Sequence, residues 1–146
     1  HISDTGVIGI YIFYNLVYAL AAYPMGILAD KLGMKKIFLL GLFLFAVVYA
    51  GFSFTLHWYF YAGLFLLYGL YAAATEGISK AWISNMVDKK ELATAIGTYS
   101  GFQSIAALLA SSIAGLIWYE LGAAAVFICS AVVSVLVIIY LFRIKF

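Results

Sequence analysis

The sequence predicts an all-α, polytopic membrane protein: a bundle of about five transmembrane helices in a single domain. Of its 146 residues, 67% are hydrophobic and only 10% are charged, whereas soluble domains contain roughly 45–50% apolar and about 25% charged residues. A chain this short could not bury so much apolar surface in water, because small domains keep much of their chain exposed. Lipid is therefore the expected solvent, and the bilayer is the first expected partner.

Five apolar stretches have at least the length, roughly 17–25 residues, that is needed to cross a hydrocarbon core about 30 Å thick. Such runs are expected to be helical, because backbone N–H and C=O groups find no water in the bilayer core. The breaks between them are short and polar, which makes consecutive helices antiparallel neighbours. The predicted spans are residues 6–28, 37–54, 58–87, 92–118 and 123–141.

Positive charge is confined to one side of the predicted bundle. Cytoplasmic loops of membrane proteins carry an excess of Lys and Arg. The lysine-rich loops and the C-terminus are therefore predicted to be cytoplasmic, and the N-terminus is predicted to lie on the other side. Lys80 lies inside a span but nearest this same side. The basic residues are Lys31, Lys35, Lys36, Lys80, Lys89, Lys90, Arg143 and Lys145.

The first, third and fourth spans carry most of the polar side chains at membrane depth. In the first span these side chains recur at helical spacing and share one face. Polar groups in a membrane tend to face protein or a water-filled cavity, so these three spans are predicted to line a substrate cavity, with the second and fifth spans packed outside. For the tyrosines, ordinary packing and interface anchoring is the alternative. The candidate cavity residues are Tyr11, Asn15, Tyr18, Tyr68, Tyr71, Thr75, Gln103 and Ser104.

Two ionisable residues lie inside the third span: Glu76 and, four residues later, Lys80. A glutamate that precedes a lysine by four residues is the favourable order for a helical ion pair. Lys80 is close enough to the cytoplasmic end to extend to the interface, whereas Glu76 needs a partner. Three interpretations of Glu76 stay open: an ion pair that is structural or part of a gate, a proton-carrying site, and direct contact with substrate.

Other classes of function find little support in the residues. An enzyme would need a clustered catalytic set, but His1 and His57 lie at the outer edge, and no span contains a Ser/His/Asp grouping. Cys129 is the only cysteine, which excludes a disulfide within the chain. No basic run is interleaved with aromatic residues, which argues against nucleic-acid binding. The sequence therefore predicts no enzymatic activity, no cofactor and no metal site.

A short pattern of glycine, aspartate and basic residues connects the first two spans. Its positions are Gly26, Asp30, Lys31, Gly33, Lys35 and Lys36. The pattern resembles the signature loop of the major facilitator superfamily, which lies on a short cytoplasmic loop between two membrane helices. Residues 68–81 and 93–99 are similar to the tenth and eleventh helices of that family. On this alignment the five spans correspond to family helices eight to twelve, which is a partial major-facilitator-type fold.

The resemblance implies a secondary active transporter, ion-coupled or uniport, in which two six-helix halves alternate access to a site for a small solute. It also implies that the 26–36 loop takes part in cytoplasmic gating together with Glu76 and Lys80, and that Asp30 braces neighbouring helix ends with Lys80 as its candidate partner. Five spans cannot form two halves, so the N-terminal half is an expected, missing partner. The alternative is a non-transporting membrane module, such as a sensor or an assembly subunit.

Overall fold

The computed structural model describes residues 4–54 and 57–144. Within these ranges the chain is helical and contains no strand, which confirms the predicted all-α fold. Each predicted span lies on one helix, and the helix ends differ from the predicted span ends by at most four residues. The five helices are α1 (Asp4–Leu32), α2 (Met34–Phe52), α3 (Trp58–Ser84), α4 (Leu92–Leu121) and α5 (Ala123–Arg143).

Four of these helices, α1, α2, α4 and α5, are long and apolar enough to cross a membrane. Helix α3 has a comparable length of 27 residues, but its tyrosines, Glu76 and Lys80 lower its mean hydropathy. It packs against both α1 and α2, and these contacts bury Thr75 and half-bury Tyr68 and Tyr71. A helix in this position tolerates polar residues that a lipid-facing helix would not.

Gly33 alone separates α1 from α2, so the helices extend into what the sequence suggested was a longer polar break. Its backbone has φ +97° and ψ 134°, a conformation that residues with a β-carbon rarely adopt. The Gly33 N–H donates a hydrogen bond to the Ala29 carbonyl at 2.9 Å, which closes the last turn of α1. The reversal between the two helices therefore depends on this glycine.

Replacing Gly33 with alanine is expected to destabilise the fold by about 1–3 kcal/mol, the usual cost of a strained backbone conformation. The strain comes from the positive φ and not from crowding, because a β-carbon at Gly33 would meet no atom within 4 Å. Thermal unfolding in detergent measures the effect. Gly26→Ala is the control, since Gly26 lies inside α1 and is equally uncrowded. Equal melting temperatures for the two variants would contradict the prediction.

Glycines bring the most extensively packed helices together. The largest contact joins α2 to α3, followed by α1 with α3 and α2 with α5. A β-carbon at Gly41 on α2 would lie 2.5 Å from Thr75 Cγ2 on α3. At Gly69 on α3 it would lie 2.8 Å from Val17 Cγ1 on α1. Small residues at such contacts let helix backbones approach closely, which favours helix association in lipid.

The sequence placed the second span outside the first, third and fourth, and within this chain α2 packs against α1, α3 and α5. Helix α2 has buried residues along much of its length, whereas α4 has none. All residues of α4 from 101 to 113 are exposed. Among the described residues α4 packs along α5, touches α3 only slightly and does not contact α1. The prediction ranked helices by polarity, but the positions of small residues such as Gly41 decided which helices approach each other.

Candidate functional site

A cleft of about 240 Å³ lies between the motif end of α1 and the C-terminal half of α3. We call it the α1–α3 cleft. Small residues contributed by both helices form most of its wall. Its glycines keep space open, because a β-carbon at Gly26 or Gly77 would meet no atom within 4 Å. The lining residues are Tyr18, Ala22, Gly26, Ala29, Asp30, Met34, Ala73, Gly77, Ile78 and Ala81.

Acidic groups from both helices lie at this cleft. Asp30 lines it and is exposed, and the exposed Glu76 directly precedes the lining residue Gly77. The Tyr18 side chain of α1 lies near the Glu76 carboxylate. Glu76 also interacts electrostatically with Tyr14 and Tyr71. The carboxylate thus links α3 to the tyrosines of α1.

The predicted ion pairs of Lys80 are not formed in the described part of the chain. Lys80 is exposed and makes no ion pair with Glu76 or with Asp30. Lys80 lies near the C-terminal end of α3, at the lysine-rich end of the bundle, where a long lysine side chain can extend to water. Glu76 lies near Tyr18 of the neighbouring helix α1 and forms no ion pair with a cation in the described ranges.

Lys35 connects the motif loop to the end of the chain. Its Nζ atom donates a hydrogen bond to the carbonyl of Ile144, the residue that follows α5. A cation is stabilising at a helix C-terminus, where the unpaired carbonyl groups carry partial negative charge. The other basic residues of the motif, Lys31 and Lys36, are exposed.

Tyrosines from α1 and α3 meet in a packed aromatic cluster, which we define as Tyr14, Phe45, Tyr49, Tyr68 and Tyr71. The ring centroids of Tyr14 and Tyr68 are 5.2 Å apart, and those of Tyr68 and Tyr71 are 5.3 Å apart. Phe45 of α2 lies 5.0 Å from Tyr71 and stacks on Tyr49 at 3.9 Å. Such distances are typical of favourable aromatic pairs. The sequence analysis did not include Phe45 and Tyr49 among the cavity candidates, because it placed the second span outside the others. Their spacing of four residues, which puts both on one face of α2, is the signal that could have found them.

Of the remaining cavity candidates, Tyr11 and Thr75 adjoin this cluster through Tyr14 and Tyr71, and those on α4 are separate from it. Asn15 donates its side-chain N–H to the Tyr11 carbonyl at 2.8 Å, and Tyr11 is exposed. Thr75 is buried and its hydroxyl donates to the Tyr71 carbonyl at 2.9 Å. On α4, the Ser104 hydroxyl donates to the Ser100 carbonyl at 2.9 Å, and Gln103 is exposed. The α4 candidates are therefore not brought together with those of α1 and α3.

Metal-binding side chains do not cluster in the ranges that the structure describes. No three His, Cys, Asp or Glu side chains there lie close enough to hold a metal ion together. The chemistry of the α1–α3 cleft thus comes from carboxylates, tyrosine hydroxyls and helix surfaces.

Comparisons with known proteins identify the family. The sequence model of the Major Facilitator Superfamily matches residues 1–145. An uncharacterized MFS-type transporter of Methanocaldococcus jannaschii is 36% identical over 111 residues, which are 76% of this chain but 28% of that protein. No solved structure matches. Since the family model covers nearly the whole sequence, the chain belongs to the Major Facilitator Superfamily.

Proposed function

We propose that the chain forms part of a secondary active transporter, which moves a small solute across the membrane by alternating access. The α1–α3 cleft carries this proposal, because an open cleft with small-residue walls lies directly beside the signature motif. The family membership and the similarity to the archaeal MFS-type transporter also support it. Transport then proceeds through conformational change and not through enzymatic chemistry.

We assign the α1–α3 cleft to the gate on the lysine-rich side, which we propose to be the cytoplasmic side because cytoplasmic loops carry an excess of Lys and Arg. A gate needs surfaces that pack together in one state and separate in the other. Open space at Gly26 and Gly77 lets another helix or loop approach the cleft without a clash. Asp30 at its edge offers a negative charge, which is stabilising at a helix N-terminus.

We assign the solute to the polar face that the tyrosines of α1 and α3 share. Tyrosine combines a large apolar ring with a hydroxyl that can donate or accept a hydrogen bond. Such a surface suits aromatic or amphipathic compounds and also sugars. Glu76 lies near the tyrosines and near the cleft at once, so it is positioned to couple solute binding to the gate.

A second helical half is proposed to cover α4. This helix exposes Gln103, Ser104 and Ser111 at membrane depth, and polar groups facing hydrocarbon are costly unless they find partners. The chain spans 28% of the length of the archaeal relative, so that relative contains ample additional sequence. The N-terminal half of the transporter is the partner we propose.

Uptake into proteoliposomes tests the function. The complete transporter polypeptide is reconstituted and offered labelled sugars, amino acids, organic acids and lipophilic cations, one class at a time. At least one class is expected to enter faster than into liposomes without protein. If no class does so, the non-transporting membrane module becomes the better interpretation.

Gly77→Leu is expected to slow that uptake about tenfold. The leucine side chain would occupy space in the α1–α3 cleft and disfavour the closed gate, and about 1.4 kcal/mol shifts the equilibrium between open and closed gate tenfold. Its abundance in the membrane is expected to stay unchanged, because the open space at Gly77 accommodates the leucine. Gly63→Leu is the matched control, being exposed and uncrowded on the same helix. Equal uptake by the two variants would remove the α1–α3 cleft from the gate.

A further inference from the structure

The central parts of α1, α2 and α3 contain a single charged side chain. Residues 5–29, 37–52 and 58–79 include Glu76 and no other acidic or basic residue. Lys80 lies four residues closer to the lysine-rich end of the bundle and forms no ion pair with Glu76. The tyrosine-rich part of the bundle therefore carries one negative charge and no positive charge.

The side chains described near Glu76 do not neutralise its charge. Tyr14 and Tyr18 of α1 and Tyr71 of α3 all interact electrostatically with its carboxylate. A tyrosine hydroxyl can donate a hydrogen bond but carries no positive charge. A carboxylate at membrane depth is costly without a counter-charge. A positively charged solute would supply that counter-charge.

The aromatic rings beside Glu76 also attract positive charge. The face of an aromatic ring is negative, so a cation within about 6 Å of the ring centroid is attracted to it. The ring centroid of Tyr14 lies 5.2 Å from that of Tyr68 and 6.3 Å from that of Tyr11. Tyr11 is exposed, and Tyr14 and Tyr68 are half-buried, so part of this ring surface is accessible to a solute.

Other polar side chains of α1 and α3 are engaged within their own helices. Asn15 donates to the Tyr11 carbonyl at 2.8 Å. Thr75 is buried and donates to the Tyr71 carbonyl at 2.9 Å. A sugar is recognised through hydrogen bonds to its hydroxyls, which groups that are already bonded supply poorly. An organic anion would meet Glu76 without a basic partner, and like charges repel.

A second cavity, of about 510 Å³, lies between α4 and the α2–α3–α5 part of the bundle. Its wall is mostly aliphatic and includes no charged residue, so it offers a cation no carboxylate. The negative charge that could bind a cation is on the side where α1 and α3 meet.

We propose that the transported solute is a lipophilic organic cation, whose charge binds at Glu76 and whose apolar body packs on Tyr14, Tyr18 and Tyr68. The inference rests on the proposed transport function and adds to it the sign of the charge on the solute. Protonated and quaternary amines both fit, because a carboxylate and the faces of aromatic rings attract either kind of cation.

Binding and uptake by the complete transporter polypeptide test the inference. The probes are labelled benzyltrimethylammonium, a permanently charged aromatic cation, and labelled phenylmethanesulfonate, an aromatic anion of similar size. In detergent, the cation is expected to bind at least about tenfold more tightly than the anion. The cation is also expected to enter proteoliposomes faster than it enters liposomes without protein.

Glu76→Gln is expected to weaken binding of the cation about tenfold and to leave binding of the anion no weaker. Binding in detergent involves no ion gradient, so this loss reports recognition of the cation and not coupling. Glu91→Gln is the matched control, since Glu91 is an exposed carboxylate at the start of α4. Equal affinities of these two variants for the cation would overturn the inference.

Tyr14→Leu is expected to weaken binding of the cation about fivefold, because leucine has no negative ring face. Tyr140→Leu is its control, since Tyr140 is an exposed tyrosine on α5. If Tyr14→Leu does not fold, the comparison of Glu76→Gln with Glu91→Gln still decides.

The uptake panel separates this inference from the transport function. Uptake of sugars or organic acids without uptake of the cation would overturn the inference and leave the transport function standing. Uptake of no class at all would remove the transport function, and the inference with it.

Discussion

Gly69→Leu is expected to prevent α1 and α3 from packing together and to leave little folded protein. A β-carbon at Gly69 would lie 2.8 Å from Val17 Cγ1, 2.9 Å from Val17 Cβ and 3.1 Å from the Tyr14 carbonyl oxygen. The last of these is a backbone atom, so rotating a side chain cannot relieve the clash. Overpacking usually costs about 1–3 kcal/mol and more where a whole helix must move. The contact between Tyr14 and Tyr68 would be lost with it.

Size-exclusion chromatography and thermal unfolding in detergent measure this effect. Gly63→Leu is the control, since Gly63 lies on the same helix and a β-carbon there would meet no atom within 4 Å. Both substitutions gain the same helix propensity, so the difference between them reports the α1–α3 contact alone. The close approach described for Gly69 would be wrong if the two variants eluted and melted alike.

Glu76→Gln is expected to reduce solute uptake about tenfold or more, which corresponds to at least about 1.4 kcal/mol. An ionisable residue within a membrane span is by default a functional candidate. The substitution keeps the shape of the side chain and removes the charge that faces Tyr14, Tyr18 and Tyr71. Because Glu76 is exposed and forms no ion pair among the described residues, the free energy of unfolding is expected to change by less than about 0.5 kcal/mol.

Three further variants show which partner matters for Glu76. Tyr18→Phe removes the hydroxyl that lies near the carboxylate and is expected to reduce uptake up to about fivefold, the factor that corresponds to about 1 kcal/mol. Its effect and that of Glu76→Gln should not add, because the two residues interact. Lys80→Gln is expected to reduce uptake less than Tyr18→Phe does.

Glu91→Gln is the control, because Glu91 is an exposed carboxylate whose side chain makes no capping hydrogen bond. Uptake by Glu76→Gln equal to that control would exclude Glu76 from the transport cycle, and a larger effect of Lys80→Gln than of Tyr18→Phe would restore the ion pair that the sequence predicts.

The motif loop shows how far local sequence reasoning reaches. Its residues indicated the family and a short connection between two helices, and the structure narrows that connection to Gly33, which has a positive φ. The same residues did not reveal that Lys35 bonds the carbonyl of Ile144, 109 residues away. Such a contact depends on where α5 packs, which no feature of the loop encodes.

The sequence by itself determined the five helices, the lipid environment of most of them and the separation of a lysine-rich from a lysine-free end. These properties follow from composition along each segment, because hydrocarbon forces a backbone to satisfy its hydrogen bonds within its own helix. Only the tertiary structure decided that α2 packs against α1, α3 and α5, that Glu76 lies near Tyr18 and that two cavities lie beside α3 and α4. The reason is that helices in lipid associate through shape. The fit at Gly41 and Gly69 depends on residues of other helices that are far away along the chain.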